Sequence, residues 1–474
     1  MLPSHVRRRD ATGPPSAGGV IIWLAVESPL GHRADWRALV ERREFVFLFI
    51  AMFVSLFGSG MNFAGVTWYV LAQTHSPVRV SLVTVVVMLP GLFVPLAGGV
   101  LIDRVDRRYL GLTLDLARGA VVLGTAALLR AGLAQLWHIY AMVFLLGMGF
   151  AIYWSTMNAL AQEVIPRNQY VAANSGVLIA IQGGMMTAGS LVGFIYDRAG
   201  LAGVLAIDGL TYLASALCLL LLRRGVVLPH AGRETAGGEV PPPAAAAVPV
   251  SGEDAMGLPL AGTEPGRDFL IDFREGVRYL RSQPRVLALG VTYACMMAGV
   301  VSSNVLVVTL AEIVLHSGAR GFGFLEAGWA FGAVSGGLLA GILADWFTAP
   351  MVLVAALCVL AAGHPLFPHA GYLWVAVGMN ALFGVCRACG GVLSQTGIMA
   401  IVPKRLMGRT QSAFSLLSTV LQVLMSLTLG FLAQQLSLPL AFFVLGLIYG
   451  GAALAALRAR ELAPPEQTPA PAAA

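Results

Sequence analysis

Long stretches without a charged residue constrain this chain more than any other feature. Charge-free intervals run from Glu44 to Arg79 and from Arg130 to Glu163, and others follow along the chain. A helix needs about 20 apolar residues to cross the hydrocarbon core of a bilayer, so each interval can hold one crossing. Only 11% of the residues are charged, less than half of the share that is typical of soluble proteins. Lipid must therefore be the solvent for much of the surface.

The charge-free intervals and the turn residues between them predict an all-α membrane protein with twelve transmembrane helices. The interval from Asp345 to Arg387 is too long for one helix, and a Pro, His and Gly cluster at 364–371 divides it. A break near Pro439 divides the last long interval in the same way. The predicted spans are residues 45–72, 79–101, 109–131, 136–162, 169–196, 201–222, 286–314, 320–344, 349–368, 372–401, 406–434 and 437–458.

Arginine and lysine residues are distributed unequally between the two sides of these spans. If the N-terminus is cytoplasmic, the cytoplasmic segments hold 24 of the 30 basic residues and the opposite side holds four. Because basic residues gather on the cytoplasmic side, we predict a multi-pass protein of the inner (plasma) membrane with both termini in the cytoplasm. The same rule explains the net charge of +6 without nucleic acid as a partner.

The segments outside the spans have a different composition. Residues 1–44 hold only a short apolar run and are predicted to be a disordered cytoplasmic extension. Residues 223–285 are predicted to be a cytoplasmic linker, rich in Pro, Ala and Gly. It ends in an amphipathic helix at 268–282 that lies on the membrane surface, although an extension of the seventh span explains the same pattern. The tail, 461–474, is predicted to be disordered, and the two six-helix regions are residues 45–222 and 286–460.

Short patterns recur between the two six-helix regions. The pattern G-x-x-x-D at residues 99–103 recurs at residues 341–345, after an offset of 242 residues. The Pro-Arg pair at 166–167 recurs as Pro-Lys at 403–404, after an offset of 237 residues. We therefore predict that the two regions are pseudo-symmetric six-helix bundles.

The loop after the second span carries a motif whose physical role can be stated. Glycine lets two helices approach closely, and an aspartate can face the positive end of a neighbouring helix. Arginines can anchor the loop to the anionic inner leaflet. Such contacts form in one state of an alternating-access cycle and break in the other. The predicted cytoplasmic gating motif consists of Gly99, Asp103, Arg104, Arg107 and Arg108.

This loop also resembles a family signature. From Gly99 it reads G-V-L-I-D-R-V-D-R-R, which resembles the GxxxDRxGR[RK] signature of the major facilitator superfamily. Asp106 stands where glycine is usual, as in the branch that resembles enterobactin and macrolide exporters. The resemblance covers roughly residues 45–458 and implies the major facilitator fold. Ser59 stands where many relatives carry an acid, which leaves few carboxylates to serve as a coupling site.

Ionisable residues inside apolar spans are functional candidates because their burial is costly. We predict that Glu326 exchanges a coupling proton. A conformational change that alters the distance between Glu326 and Arg387 would load and release this proton. Asp208 is a second candidate, but the resemblance puts its span outside the central cavity and favours a packing role. Asp115 and Arg118, three residues apart, are predicted to pair on one helix face.

The resemblance implies that the first, fourth, seventh and tenth spans line a central cavity and that Arg387 faces the substrate. Large aromatic residues with few charges suit a bulky amphipathic solute, while ordinary helix packing explains the same residues equally well. The cavity-lining candidates are Asn62, Trp68, Tyr69, Trp154, Ser155, Asn158, Tyr293, Ser303, Asn304, Asn380 and Gln395.

These features predict a secondary active transporter that moves a hydrophobic or amphipathic small molecule by alternating access, with proton-coupled efflux as the expected direction. The only lysine, Lys404, follows a proline and lies in no Walker A motif, so a nucleotide site on this chain is excluded. No clustered His, Cys or carboxylate set indicates an enzyme, a metal site or a cofactor. The expected partners are a small-molecule substrate, protons and membrane lipid, on a monomer. The rivals are a nutrient or lipid importer of the same fold and a transport-dead sensor or scaffold that binds partners through 223–285.

Overall fold

Eleven long helices make up the part of the chain that the computed structural model describes, residues 41–165, 170–222 and 278–461. No strand occurs in these ranges, and ten of the helical stretches are long and apolar enough to cross a membrane. The prediction of an all-helical membrane protein is confirmed. The helices are α1 (Arg43–Thr74), α2 (Pro77–Arg104), α3 (Arg107–Arg130), α4 (Leu136–Val164), α5 (Tyr170–Leu221), α6 (Pro284–Thr309), α7 (Gly318–Trp346), α8 (Ala349–Leu366), α9 (Leu373–Ile401), α10 (Lys404–Gln435) and α11 (Leu438–Glu461).

The longest helix, α5, contains a sharp break at Gly200. This residue has φ 63° and ψ −169°, a conformation that glycine adopts far more readily than other residues. The break divides α5 into an N-terminal arm, residues 170–199, and a C-terminal arm, residues 201–221. The predicted spans 169–196 and 201–222 correspond to these two arms.

The other predicted helices coincide with observed helices to within a few residues. The seventh predicted span continues beyond α6 through one π-helical turn, Leu310–Val314. The predicted break after the ninth span is a short 3-10 turn, Phe367–His369, followed by Gly371 in the left-handed region. The predicted extension, linker and tail lie outside the described residues except for short flanks, of which residues 278–282 are helical.

Helix contacts fall into two sets that follow chain order. Within α1–α5, the most extensive contact joins α1 to α5, and α3 also packs on α5. Within α6–α11, α7 packs on α9, α8 on α11, and α6 on α10. The two sets meet mainly where α5 contacts α7 and where α2 contacts α10. Large apolar side chains such as Phe331 and Leu338 remain exposed on the outside, which suits a lipid environment.

Two glycines make equivalent close contacts in the two sets. Gly147 on α4 lies against the carbonyl group of Val87 on α2, and Gly384 on α9 lies against the carbonyl group of Trp329 on α7. At both glycines a Cβ atom would overlap the facing backbone. The glycines are 237 residues apart and their partners are 242 residues apart, the same offsets as those of the sequence repeats. The repeat therefore extends from sequence patterns to helix contacts.

A stripe of three glycines fixes the contact between α7 and α9. Gly328, Gly332 and Gly336 are spaced four residues apart and lie against the backbones of residues 377, 381 and 385 on α9. Small residues at this spacing allow two membrane helices to approach until their backbones touch. Such contact also allows Cα–H groups to face carbonyl oxygens. The stripe explains why α7 and α9 form one of the most extensive helix contacts.

Candidate functional site

Among the described residues, the hydrogen bonds and the ion pair between the two helix sets lie at one end of the protein, where the connections at residues 75–76, 315–317 and 436–437 lie. Arg320 Nε is 2.6 Å from Asp197 Oδ2, which joins α7 to the end of the N-terminal arm of α5. On the other side, the Ser76 hydroxyl donates to Gln434 Oε1 at 2.5 Å. We call this the Arg320 end, and the opposite end, which carries the α2–α3 connection, the Asp106 end.

The contact between α5 and α7 continues inward from the ion pair and reaches Glu326. Gly193 lies against the backbone of Ala319 and Arg320, and one turn deeper a Cβ atom on Gly189 would lie 3.0 Å from the Cβ atom of Glu326. Glu326 is eight residues from the start of α7, which is about 12 Å at 1.5 Å per residue. The carboxyl predicted to exchange a proton therefore borders the surface along which the two helix sets meet.

The partner of Glu326 is an amide rather than a cation. Asn304 Nδ2 on α6 donates to Glu326 Oε1 at 3.4 Å. Among the described residues no Arg, Lys or His nitrogen lies within 4.0 Å of the Glu326 carboxyl. A carboxyl that is only half buried and held by a neutral donor can change its proton when its surroundings change.

Arg387 is buried in the C-terminal helix set without a described carboxylate within 4.0 Å. Its Nη2 atom is 3.3 Å from the Gly299 carbonyl oxygen and 3.3 Å from His364 Nε2. The guanidinium group also lies 5.8 Å from the ring centre of Tyr449. His364 Nδ1 faces the carbonyl oxygen of Leu360 at 2.7 Å. Since that carbonyl can only accept, Nδ1 carries the proton and Nε2 accepts from Arg387.

The N-terminal helix set holds its own buried polar network. Arg118 and Asp115 form an ion pair through Arg118 Nη2 and Asp115 Oδ1, as their spacing predicts. The Ser215 hydroxyl donates to the second Asp115 oxygen at 2.6 Å. The Arg118 guanidinium group lies between two aromatic rings, 4.1 Å from the centre of Tyr153 and 4.5 Å from the centre of Tyr212. This pair is buried and its partners lie within its own helix set, while Arg118 Nε has no hydrogen-bond partner among the described residues.

Asp208 lies beside this network in the C-terminal arm of α5. Asn62 Nδ2 on α1 donates to Asp208 Oδ2 at 2.6 Å. Gly58 lies where any Cβ atom would collide with Asp208 and Thr211, so the missing side chain lets α1 and α5 approach at this point. Asn62, predicted to line the central cavity, thus points toward α5.

Several of the predicted cavity residues make contacts within or between helices. Trp68 stacks on Phe322 across α1 and α7, with ring centres 5.9 Å apart. Asn380 Nδ2 donates to the Leu325 carbonyl at 2.8 Å, and Gln395 Nε2 donates to Gln411 Oε1 at 3.1 Å. Within their own helices, Asn158 Nδ2 donates to the Trp154 carbonyl and the hydroxyls of Ser155 and Ser303 donate to backbone carbonyls. Tyr293 is buried and Tyr69 is half buried.

The gating loop differs from its prediction at Arg108. Asp106 caps α3, because its side chain accepts from the backbone N–H groups of Arg108 at 3.0 Å and Tyr109 at 3.4 Å. The Arg108 side chain donates to the carbonyl oxygens of Leu219, at 2.7 Å, and Leu220 at the end of α5. Carbonyl groups at the end of α5 thus hold Arg108 in this structure, where the sequence predicted lipid phosphates as its partners. A helix C-terminus offers free carbonyl groups and a partial negative charge, which attract this arginine.

The remaining members of the motif are described less fully. Gly99, Asp103 and Arg104 lie in the last part of α2, and their side-chain contacts lie outside the described residues. The ionisable side chains that the sequence placed in the membrane are all found in helices, and Asp115 and Arg118 pair as predicted, but the asparagine partners of Asp208 and Glu326 were missed. The offset of 242 residues marks Asn62 and Asn304 as equivalent positions, but it does not indicate which carboxyl groups they hold.

The fold and these buried polar groups define a multi-pass helical membrane protein of the transporter type. A family model described as Major Facilitator Superfamily matches residues 48–426. The chain belongs to the major facilitator superfamily, a superfamily of membrane transporters, which points to a transporter and not to an enzyme.

Similar proteins agree with this family. The chain is 23% identical over 411 residues to the uncharacterized MFS-type transporter YkuC of Bacillus subtilis (strain 168), covering 83% of this chain and 86% of the relative. It is 21% identical over 347 residues to macrolide efflux protein A of Streptococcus pyogenes, covering 72% and 75%.

Solved structures share the fold at low sequence identity. The nucleoside transporter NupG gives a TM-score of 0.64 at 11% identity, over 89% of this chain and 100% of the other. A bacterial homologue of the iron transporter ferroportin, in its inward-facing state, gives a TM-score of 0.64 at 16% identity, over 88% of this chain and 98% of the other. The outward-facing state of that homologue gives a TM-score of 0.54 at 14% identity, over 89% of this chain and 100% of the other.

Proposed function

We propose that this protein is a proton-coupled exporter of a hydrophobic or amphipathic small molecule. It crosses the inner membrane twelve times as two pseudo-symmetric six-helix bundles, residues 45–222 and 286–460, joined by the linker 223–285. Both termini are cytoplasmic. The equivalent glycine contacts of α2–α4 and α7–α9 support the two bundles, and the uneven distribution of basic residues supports the orientation.

One observation carries this proposal: the named contacts between the two helix sets lie at the Arg320 end. The orientation puts that end outside the cell, so a conformation closed there is inward-facing. The higher TM-score against the inward-facing state of the ferroportin homologue, 0.64 against 0.54, supports the same assignment. Export then proceeds by opening the α5–α7 contact after the substrate enters from the cytoplasm.

Glu326 is the coupling residue in this mechanism. It borders the α5–α7 contact, so opening that contact changes the surroundings of its carboxyl group and favours gain or loss of a proton. One proton moving down 100 mV supplies about 2.3 kcal/mol, and a gradient of one pH unit adds about 1.4 kcal/mol. Together these support a solute gradient of roughly 500-fold, since each 1.4 kcal/mol is worth a factor of ten.

The substrate class rests on the side chains near the pathway and on a relative. The relative named for macrolide efflux supports export of a bulky solute. Arg387, which has no described carboxylate partner within 4.0 Å, serves as the contact for a polar or anionic group of the solute. The loop 99–108 forms the cytoplasmic gate, with Arg108 acting through the end of α5.

Dye transport in inverted membrane vesicles tests this function. An imposed pH gradient should drive uptake of a lipophilic dye into inverted vesicles that contain the protein. Glu326→Gln should abolish the uphill transport while counterflow continues, and Glu312→Gln, at the end of the same bundle, should behave as wild type. Transport of solute in the opposite direction would instead assign an importer. A complete lack of flux, with a partner captured through the 223–285 segment, would assign a sensor or scaffold.

A further inference from the structure

Asp208 is a second buried carboxyl group that the coupling mechanism does not use. Its side chain has no solvent exposure. Asn62 donates to its Oδ2 atom at 2.6 Å, whereas its Oδ1 atom has no hydrogen-bond partner among the described residues. A buried carboxylate oxygen without a partner is unfavourable, and a proton on it removes the charge.

No cation of the described ranges pairs with this carboxyl. The charged groups that act on it from α3 are Arg118 and Asp115, and these two are already paired with each other. The groups on α1 and α5 are neutral, namely Asn62, Ser59, Tyr212 and Thr211, and the Thr211 hydroxyl donates to the backbone carbonyl of Asp208 at 2.6 Å. Within the described residues no Arg, Lys or His nitrogen lies within 4.0 Å of Asp208. Because the charges of Asp115 and Arg118 cancel each other, the group of side chains around Asp208 is neutral only when Asp208 carries a proton.

A small cavity inside the N-terminal helix set is lined in part by Asn62, the donor to this carboxyl. The cavity has a volume of about 50 Å³ and is walled by α1, α2, α4 and α5, with Ser59, Asn62 and Tyr212 as its polar members. At roughly 10–15 Å³ per water, it has room for about three to five water molecules. Its other lining residues are apolar, so water is expected only at the edge that the three polar side chains form.

The hydrogen-bond directions at this cavity suit proton transfer to Asp208. Ser59 donates to the Ser55 carbonyl at 2.8 Å, so Tyr212 is the donor in its 3.0 Å contact with Ser59. The Tyr212 oxygen therefore keeps a free acceptor position. Asn62 donates one hydrogen of its side-chain amide to Asp208, and its side-chain oxygen remains available to accept a hydrogen bond from water. Water at this edge can accept and pass on a proton beside the carboxyl.

The amide donor of this arrangement recurs in the other helix set. Asn62 holds Asp208 and Asn304 holds Glu326, and the two asparagines are separated by the repeat offset of 242 residues. Each set thus presents one buried or half-buried carboxyl to an equivalent neutral amide donor. The carboxyl groups themselves are not related by the repeat, because Asp208 and Glu326 are 118 residues apart and lie on the sixth and eighth predicted spans.

We infer that Asp208 is a second proton-binding residue, reached by protons through the cavity bordered by Ser59, Asn62 and Tyr212. A role for this proton in transport rests on the proposed function, but the binding of the proton does not. Proton binding by Asp208 and the proposed transport function can therefore be refuted separately.

Infrared spectroscopy of the intact protein in lipid nanodiscs tests proton binding. A protonated carboxyl group has a carbonyl stretch that an ionised carboxylate lacks. At neutral pH, wild type should show such a band that Asp208→Asn lacks, and Asn62→Ala should shift its frequency. Asp197→Asn, a control in the exposed pair with Arg320, should leave it unchanged. If Asp208→Asn keeps every wild-type carbonyl band, Asp208 is ionised and the inference is overturned, whatever transport assays show.

Hydrogen–deuterium exchange of the same band tests the route. Val143→Phe fills the cavity, and Leu146→Trp fills it from another wall position. Both should slow the isotope shift of the Asp208 band at least several-fold, while Val334→Phe, an exposed valine on α7, should not. Unchanged exchange rates in the cavity-filling variants would overturn the cavity as the proton route.

Discussion

Replacing Gly332 by alanine tests the packing of α7 against α9. A Cβ atom on Gly332 would lie 2.7 Å from the carbonyl carbon and 3.0 Å from the Cα atom of Ala381, and closer still to the carbonyl oxygen. Non-bonded carbon atoms pack at about 3.5–4.0 Å. The helices would therefore have to separate by roughly 1 Å, which also loosens the contacts of Gly328 and Gly336. Overpacking of this kind costs about 1–3 kcal/mol.

Alanine also favours helix formation by up to about 1 kcal/mol over glycine, so a matched glycine is needed as a control. Gly378 on α9 is suitable, because a Cβ atom there would meet nothing within 4 Å. Both substitutions gain the same helix propensity, and the difference between them isolates the packing contribution. We expect Gly332→Ala to be less stable than Gly378→Ala by about 1–3 kcal/mol.

Thermal unfolding of the two variants in the same detergent measures this difference. Gly332→Ala should unfold at a clearly lower apparent temperature than wild type, and Gly378→Ala at the same temperature or a higher one. Equal unfolding temperatures for the two variants would refute the glycine-stripe explanation of the α7–α9 contact.

Three further predictions concern the ends of the helices and the linker. Arg320→Ala and Asp197→Ala should each destabilise the conformation that is closed at the Arg320 end by no more than about 1 kcal/mol, because the pair is partly exposed. Swapping the two charges should restore the wild-type distance between spin labels at that end. A distance that is not restored in the swapped variant would contradict this prediction. Asp103→Asn should reduce transport strongly with normal membrane insertion, and unaffected flux would exclude a gating role. Deletion of residues 233–262 should leave transport within a few-fold of wild type, and a folded but inactive deletion would favour the sensor.

The helices could be predicted because the bilayer imposes one length on every span. A crossing takes about 20 residues at 1.5 Å each, and charged residues at the ends of apolar runs mark the limits. The pair Asp115–Arg118 could also be predicted, since both residues lie on one face of the same helix. The break at Gly200 follows from a polar turn sequence that includes a glycine.

The partners of the intramembrane charges could not be predicted from local spacing. Asn62 and Asp208 are 146 residues apart, and Arg108 reaches carbonyl groups more than 100 residues away. Such pairs depend on which helices become neighbours, a property that apolar periodicity does not encode. The internal repeat relates the two donors, Asn62 and Asn304, by an offset of 242 residues, but not the carboxyl groups that they hold, which are 118 residues apart.

The positions of Asp208 and Glu326 imply different roles for two similar groups. Glu326 borders the contact between α5 and α7 through Gly189, so its surroundings change whenever that contact opens. Asp208 lies between α1 and the C-terminal arm of α5, within one helix set, and a rigid-body motion of the two sets leaves its neighbours in place. A proton on Glu326 can therefore be exchanged by the conformational cycle itself, whereas a proton on Asp208 can be exchanged only through water in the adjacent cavity. It follows that Glu326→Gln should remove coupling with little effect on the spectroscopic signature of Asp208, and that Asp208→Asn should remove that signature with less effect on coupling.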